Sequence, residues 1–224
     1  MKKILEYYIE KYDLGIIKHA DLSKYIKLFV FNKNEYIYQM DQEVDFFYFF
    51  VLGKAKVFTM VENGKAFLLG FYEPLMIIGD MEFSNSNYNY ASTNIMALNE
   101  VHCIGIPIKI LEEKYENDIK VLKFINNSLA EKLQDLSVAS SINLLYPLEN
   151  RLASYLVYLS NEDFNEIILT DKLTDISELL GTSYRHLLRV IKKFQNDKLI
   201  NKNKNKIEIL DIEKLRKLAG DIYK

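Results

Sequence analysis

Residues 174–194 read TDISELLGTSYRHLLRVIKKF, and the fold is decided by how this stretch divides. It breaks at Gly181 into two short helices. The hydroxyl of Thr174 can accept an orphan backbone N–H and cap the first helix. Glu178 follows in its first turns, and Ile176, Leu179 and Leu180 supply its apolar face. Gly181 ends it, because a residue without a Cβ enters the left-handed region at no steric cost. Thr182 or Ser183 then caps a second helix. That helix buries Leu187, Leu188, Ile191 and Phe194, and its outer face carries Tyr184, Arg185, His186, Arg189, Lys192 and Lys193. Two helices across a Gly turn, the second with a basic and aromatic outer face, have the form of a DNA-reading helix-turn-helix. A plain helical hairpin with solvated lysines is the competing reading.

The flanking residues bear on that choice. Downstream, Leu199-Ile200 and Lys206–Leu210 enclose the tip Asn201-Lys202-Asn203-Lys204-Asn205. Two short strands around a basic tip make the wing of a winged helix-turn-helix, with Lys202, Lys204 and Lys206 as phosphate contacts or solvated charges. Asp211 caps a last helix bearing Ile212, Leu215 and Leu218. Upstream, Pro147 suits the first position of a helix carrying Leu148, Leu152, Tyr155, Leu156 and Leu159, and a short apolar run, Ile167–Leu169, follows. The 224 residues carry a net charge of −2, yet residues 182–206 hold eight Lys and Arg against Asp197 alone. A concentrated basic patch on a near-neutral chain is the footprint of a phosphate-binding face.

Before this segment the spacing predicts a long helix from about Asn117 or Asp118 to about Asn143. Leu122, Ile125, Leu129, Leu133 and Leu136 form a three- and four-residue seam that continues into the smaller Ala139, Ser140 and Asn143. Such a seam between two globular parts suits a homodimer coiled coil; the alternative is one more core helix. Earlier still, Tyr36–Tyr38, Phe46–Leu52, Ala55–Met60, Ala66–Phe71, Met76–Ile78, Ala91–Ala97 and Val101–Ile106 are short aromatic and β-branched runs separated by turn residues, including the Asn63-Gly64 hairpin signal. They predict an antiparallel sandwich or barrel. Pro107–Lys114 reads as a helical step off it. Residues 1–30 read as helical, with Leu22, Tyr25, Ile26 and Phe29 near helical spacing behind an Asp21 cap.

Other functions find little support. Cys103 is the single cysteine, which excludes an intrachain disulfide, a cysteine zinc site and a four-cysteine cluster. His102 and Cys103 are neighbours on a predicted strand and face opposite ways, so with His19 they make no ligand set. A metalloenzyme on a cupin-like barrel needs a cluster of His and carboxylate ligands, and the third histidine, His186, belongs to the helix-turn-helix. No catalytic arrangement, cofactor or metal is expected. The N-terminus lacks the apolar core of a signal peptide, and no window approaches a membrane span. A cytoplasmic protein with no membrane partner is expected.

The order of a β-domain, a long helix and a winged helix-turn-helix resembles the Crp/Fnr family of bacterial transcription regulators over nearly the whole chain. The residues that carry the resemblance are Asp45–Lys54, the Gly64 hairpin, Gly79-Asp80 and, most specifically, Ile176, Leu180, Gly181, Ser183, Arg189, Val190 and Lys192. It implies an α+β chain in three parts: a cyclic-nucleotide-binding-like β-roll (double-stranded β-helix type) with N-terminal helices over 1–115, a dimerisation helix over 116–144 and a winged helix-turn-helix over 145–224. It also implies a homodimer reading a palindrome on double-stranded DNA through Thr182, Ser183, Tyr184, Arg185, His186, Arg189, Lys192, Lys193, Lys202 and Lys204. RNA polymerase is a further partner if the regulator activates. Arg185 stands where many members have glutamate, so the half-site need not be the family's commonest one.

The same resemblance places an effector pocket at Gly79, Asp80, Met81, Tyr90, Ala91 and Ser92. Cyclic-AMP-binding members carry a Gly-Glu pair there and, about ten residues on, an arginine for the cyclic phosphate. Here the pairs read Gly79-Asp80 and Tyr90-Ala91, and every arginine lies at 151 or beyond. Lys54 and Lys65 lie outside the matching segment. Burying a phosphate without a cation costs several kcal/mol, so cyclic AMP is not the expected effector. Two readings stay open: a different, uncharged or cationic small molecule, or an effector-independent β-roll that serves as a dimer or partner scaffold.

Overall fold

The computed structural model describes residues 2–12, 22–60, 66–84, 90–160, 166–168, 172–204 and 206–220. The chain forms two compact units, Met1–Thr59 with Phe71–Asp135 and Met60–Gly70 with Leu136–Lys224. His19, Asp21, the Asn63-Gly64 turn and Lys65 lie outside the described residues.

The first unit begins with helix α1 (Lys2–Lys11). Strands β1 (Lys27–Phe31), β2 (Tyr36–Tyr38), β3 (Phe46–Leu52), β4 (Ala55–Met60), β5 (Ala66–Tyr72, of which Ala66–Gly70 counts with the second unit) and β6 (Ile77–Ile78) follow. After the short helix α2 (Asp80–Ser84) come β7 (Asn94–Ala97) and β8 (Val101–Pro107). Among the described residues these strands form two four-stranded sheets, ordered β1-β8-β3-β6 and β2-β7-β4-β5. Strand β3, FFYFFVL, is buried from Phe47 through Val51 without alternation. One reason is that its Phe49 also packs against Phe124 of the long helix, with ring centroids 5.9 Å apart.

The helix expected over the first thirty residues does not run to its expected end. Residues 27–31 are a strand, not the end of a helix; a 3-10 turn at Leu22–Lys24 precedes it. Helical spacing of Leu22, Tyr25, Ile26 and Phe29 is overridden by pairing of β1 with β8, from Lys27 opposite Gly105 to Phe31 opposite Val101. Gly105 makes room for this: a Cβ there would lie 2.5 Å from the ring of Phe29. On β8, Cys103 is fully buried, whereas His102 lies 2.9 Å from the Tyr8 hydroxyl and 3.0 Å from Glu100.

Helix α3 (Ile108–Tyr115) leads to α4 (Ile119–Leu145). The Asp118 carboxylate accepts from the backbone N–H groups of Lys120 and Val121 and so caps α4.

In the second unit α5 (Leu148–Leu159) packs against α8 (Ile212–Ala219), and Asn150 donates to the Leu218 carbonyl at 2.9 Å. Pro147 stands at the cap of α5, one position before the expected one. Strands β9 (Glu166–Ile168), β10 (Ile200–Asn203) and β11 (Lys206–Ile209) form a small sheet ordered β10-β11-β9. Between them lie α6 (Leu173–Leu179) and α7 (Tyr184–Asn196). Helix α6 begins before Thr174, with Lys172 as its cap residue; the Thr174 hydroxyl bonds the Asp175 carboxylate at 3.0 Å instead of capping. Asp211 caps α8, accepting from the Lys214 N–H at 3.0 Å.

Candidate nucleic-acid interface and sensor site

The turn between α6 and α7 is fixed by its backbone. Gly181 has φ +59°, its N–H donates to Glu178 O and the Thr182 N–H to Ser177 O, both at 2.8 Å. The Arg151 guanidinium donates to the Leu180 carbonyl from α5. Ser183 caps α7, its hydroxyl accepting from the His186 N–H at 3.2 Å, and the Thr182 hydroxyl lies 3.3 Å from His186 Nδ1. The helix start is therefore braced, with the positive end of its dipole outward.

Helix α7 buries Leu187, Val190, Ile191 and Phe194, an i, i+3, i+4, i+7 stripe. Leu188 falls outside this stripe and is exposed, so its expected burial is corrected. The outer surface presents Tyr184, Arg185, Leu188, Arg189 and Lys192. Lys193 is drawn sideways to Glu149 of α5, 3.4 Å away. Glu149's own backbone N–H and the Lys193 ammonium hold that carboxyl below its ordinary value. In the wing the Lys202 ammonium folds back to donate to the Lys204 carbonyl at 2.5 Å, while Lys204, with φ +51°, is exposed at the tip.

In the first unit, Gly79 has φ +99° and sits under Tyr38, whose hydroxyl a Cβ there would meet at 2.8 Å. Asp80, which opens α2, is 1% exposed. Ser128 donates to its Oδ2 at 2.8 Å and Lys132 Nζ approaches its Oδ1 at 2.5 Å, both side chains coming from α4. Lys132 also donates to Ile77 O at 2.8 Å and lies 5.1 Å from the centroid of the Tyr72 ring. Burial works against the Lys132 charge, but Tyr72 and Asp80 beside it outweigh that and leave its ammonium above the ordinary lysine value. Glu82, also buried, accepts weakly from the Ser92 N–H at 3.4 Å. Burial pushes its carboxyl up.

Of the six expected pocket residues, Gly79, Asp80 and Ala91 are buried, whereas Met81, Tyr90 and Ser92 are exposed. Sequence reasoning sought a cation within the β-strand segment and missed Lys132, as it missed Ser128, Glu82 and Tyr72. A signal existed: Ser128 and Lys132 continue the helical stripe of Val121 and Ile125.

That stripe corrects the expected seam. Ile125 is 3% exposed and lies on the inner face of α4 with Val121. The outer stripe is Leu122, Leu129, Leu133 and Leu136, with Asn126 in the place expected for Ile125. Leu133 is 69% exposed, and Val138, Leu144 and Leu145 are exposed further along.

Among the described residues there is no group of three or more His, Cys, Asp or Glu placed to hold a metal, and no helix long and apolar enough to cross a membrane.

Two known domain families match this chain. The cyclic nucleotide-binding domain matches residues 28–118 and the Crp-like helix-turn-helix domain residues 150–218. The regulatory protein YeiL of Escherichia coli O157:H7 is 29% identical over 200 residues, covering 89% of each chain. The transcriptional activator protein Anr of Pseudomonas protegens is 23% identical over 194 residues, 84% of this chain and 78% of that one. A crystal structure of a Crp/Fnr-family transcriptional regulator from Eubacterium rectale shares the fold, with a TM-score of 0.80 at 20% identity, over 96% of this chain and 99% of that one.

Proposed function

Since the chain belongs to the Crp/Fnr family of DNA-binding transcription regulators, which are not enzymes, we propose that it acts in the cytoplasm as a homodimer on a palindromic DNA site. The observation that carries this reading is the outer face of α7: Tyr184, Arg185 and Arg189 stand free of ion pairs among the described residues, on a helix braced at its start by Ser183. In a dimer two such helices would enter successive major grooves. Arg189 would take a guanine edge, Tyr184 a thymine methyl or a phosphate, and Thr182, Ser183, His186, Lys192 and Lys204 the backbone. The exposed leucines of α4 support the dimer, because each full burial is worth about 1.5–3 kcal/mol. An activating role would add RNA polymerase as a partner.

Selection of bound duplexes from a random pool tests the proposal. A recovered inverted repeat with half-sites one helical turn apart supports it, and recovery of no consensus would sink it.

For the sensor, we propose an effector other than cyclic AMP. No arginine precedes residue 151, and the nearby cation, Lys132, is already committed to Asp80. That same pair favours a second reading, in which the β-roll needs no effector: Asp80, Ser128 and Lys132 satisfy one another across the site without a ligand.

A further inference from the structure

Beside the Asp80 site lies a cavity of about 250 Å³, walled by Phe29, Tyr38, Phe46 and Tyr48, with Glu43 and Asp45 at its mouth. We propose that it binds a small organic cation, a protonated amine seated among the rings with its N–H groups turned to the carboxylates. For its regulatory consequence this rests on the effector reading above; the binding itself does not.

The walls are rings held at angles to one another, as in an aromatic cage. Phe29 and Phe46 are 4.7 Å apart at 60°, Phe29 and Tyr48 5.1 Å at 80°, and Tyr38 and Tyr48 5.9 Å at 59°. The electron-rich faces of such rings attract cations through the ring quadrupole. One cation already exploits them: Lys27 Nζ lies 6.0 Å from the Phe46 centroid. Local charge is two carboxylates against that one ammonium. Neither Glu43 nor Asp45 is in an ion pair among the described residues.

The polar groups ask for a donor. The Tyr38 hydroxyl spends its proton on Phe46 O at 2.5 Å, so its oxygen can only accept. The Tyr48 side chain lines the cavity and the residue is 6% exposed, yet its hydroxyl has no hydrogen-bond partner among the described residues. That oxygen is not a buried orphan, so it faces the accessible part of the cavity and is open to an occupant. An anion would meet two carboxylates, and a neutral aromatic would leave them unpaired. The cavity holds about eight volumes of ~30 Å³, the share of one water in the liquid. That suits an amine smaller than a nucleotide.

A route to the rest of the molecule exists. Tyr38 also covers Gly79, next to Asp80. The mouth is pinned to Ala91 by the bonds of Asp41 N–H to Ala91 O and Ala91 N–H to Gln42 O, both 2.9 Å. An occupant pressing on Tyr38 would act on the turn that carries the Asp80–Lys132 pair.

The test compares three probes with one ring and different charge on the full chain by calorimetric titration: tyramine, 4-(2-hydroxyethyl)phenol and 4-hydroxyphenylacetate. Tyramine should bind at least about tenfold tighter than the alcohol, about 1.4 kcal/mol, and the acid should not bind. Asp45→Asn should weaken tyramine about tenfold. Tyr48→Phe, which removes only an unpartnered hydroxyl, should fold normally and weaken it less. Equal affinity for amine and alcohol, or tyramine binding indifferent to both Asp45→Asn and Glu43→Gln, overturns the proposal. A gel shift on the selected duplex separates the two readings. Tyramine binding without change in DNA affinity keeps the cavity and removes the effector role. No tyramine binding with DNA affinity intact removes the cavity and leaves the DNA reading standing.

Discussion

Helices α4 and α7 are both amphipathic, and their polarities are opposite. Helix α7 buries Leu187, Val190, Ile191 and Phe194 and turns its arginines and Lys192 outward. Helix α4 turns Ser128 and Lys132 inward to a buried carboxylate and leaves Leu122, Leu133 and Leu136 exposed. The first arrangement is finished as a fold and presents its charge to solvent, where the proposed DNA site would meet it. The second is unfinished within one chain and presents apolar area, which is stabilised only against another apolar surface.

The sharpest way to break this contrast is to give α4 the outward polarity of α7. Leu129→Asp with Leu133→Asp places four carboxylates across the proposed two-fold seam, and each lost leucine forfeits about 1.5–3 kcal/mol of burial. The dimer should be lost outright, and duplex affinity should fall with it. A dimer mass by light scattering for this variant would refute the seam. Asn126 sharpens the same point, since a polar residue within a leucine seam fixes register at some cost in stability.

Next comes the inward charge. Lys132 is 16% exposed and its partner Asp80 1%. Removing one member of a buried pair strands the other, at about 3–5 kcal/mol. Lys132→Met should therefore lower unfolding stability by that order in a urea titration, and Asp80→Leu added to it should restore much of the loss. If Lys132→Met alone is neutral, the inward polarity of α4 contributes nothing.

The outward charge should behave differently. Arg189→Ala leaves nothing buried unpaired, so stability should stay within about 0.5 kcal/mol. Discrimination between the selected and a random duplex should drop by about 1–3 kcal/mol if Arg189 takes a guanine edge. Equal losses on the two duplexes in a gel shift would show it to be a phosphate contact only.

How much of each helix could be read from the chain follows from the same contrast. The stretch 174–194 is legible because its cap, Gly181 and its apolar stripe fall within one short window, so local rules suffice; the differences are Leu188, whose buried place Val190 takes, and the cap at Thr174. Strands β2, β3 and β4 match their aromatic and β-branched runs residue for residue. Strand β1 was not legible, because its identity comes from pairing with β8, 70 to 78 positions away. The Asp80–Lys132 pair was hidden for the same reason, its members being 52 positions apart. A lone lysine on a long helix reads as solvated until the topology supplies a carboxylate. Ile125 was assigned to the wrong face because two apolar stripes, Val121-Ile125 and Leu122-Leu129, run side by side along α4.

The smallest effect concerns Glu82, the other buried carboxyl beside Lys132. Burial raises its carboxyl above the ordinary value, with the Asp80 charge adding to the rise and its backbone bonds and Lys132 opposing it. A carboxyl raised in the folded state binds its proton more tightly there than in the unfolded chain. Its contribution to stability is full below the unfolded value of about 4.3 and is lost as pH climbs through the folded value. The wild-type chain should therefore lose stability over that window relative to Glu82→Gln, which has no proton to lose. Urea unfolding of both proteins at a series of pH values isolates the residue, because every other titrating group cancels in the difference. Parallel curves would mean that Glu82 is as well solvated folded as unfolded. Curves converging at low pH, with wild type the less stable above the window, would mean that the sensor side of α4 holds one more carboxylate than its single lysine can match. A cationic occupant near Tyr38 would be drawn to that excess.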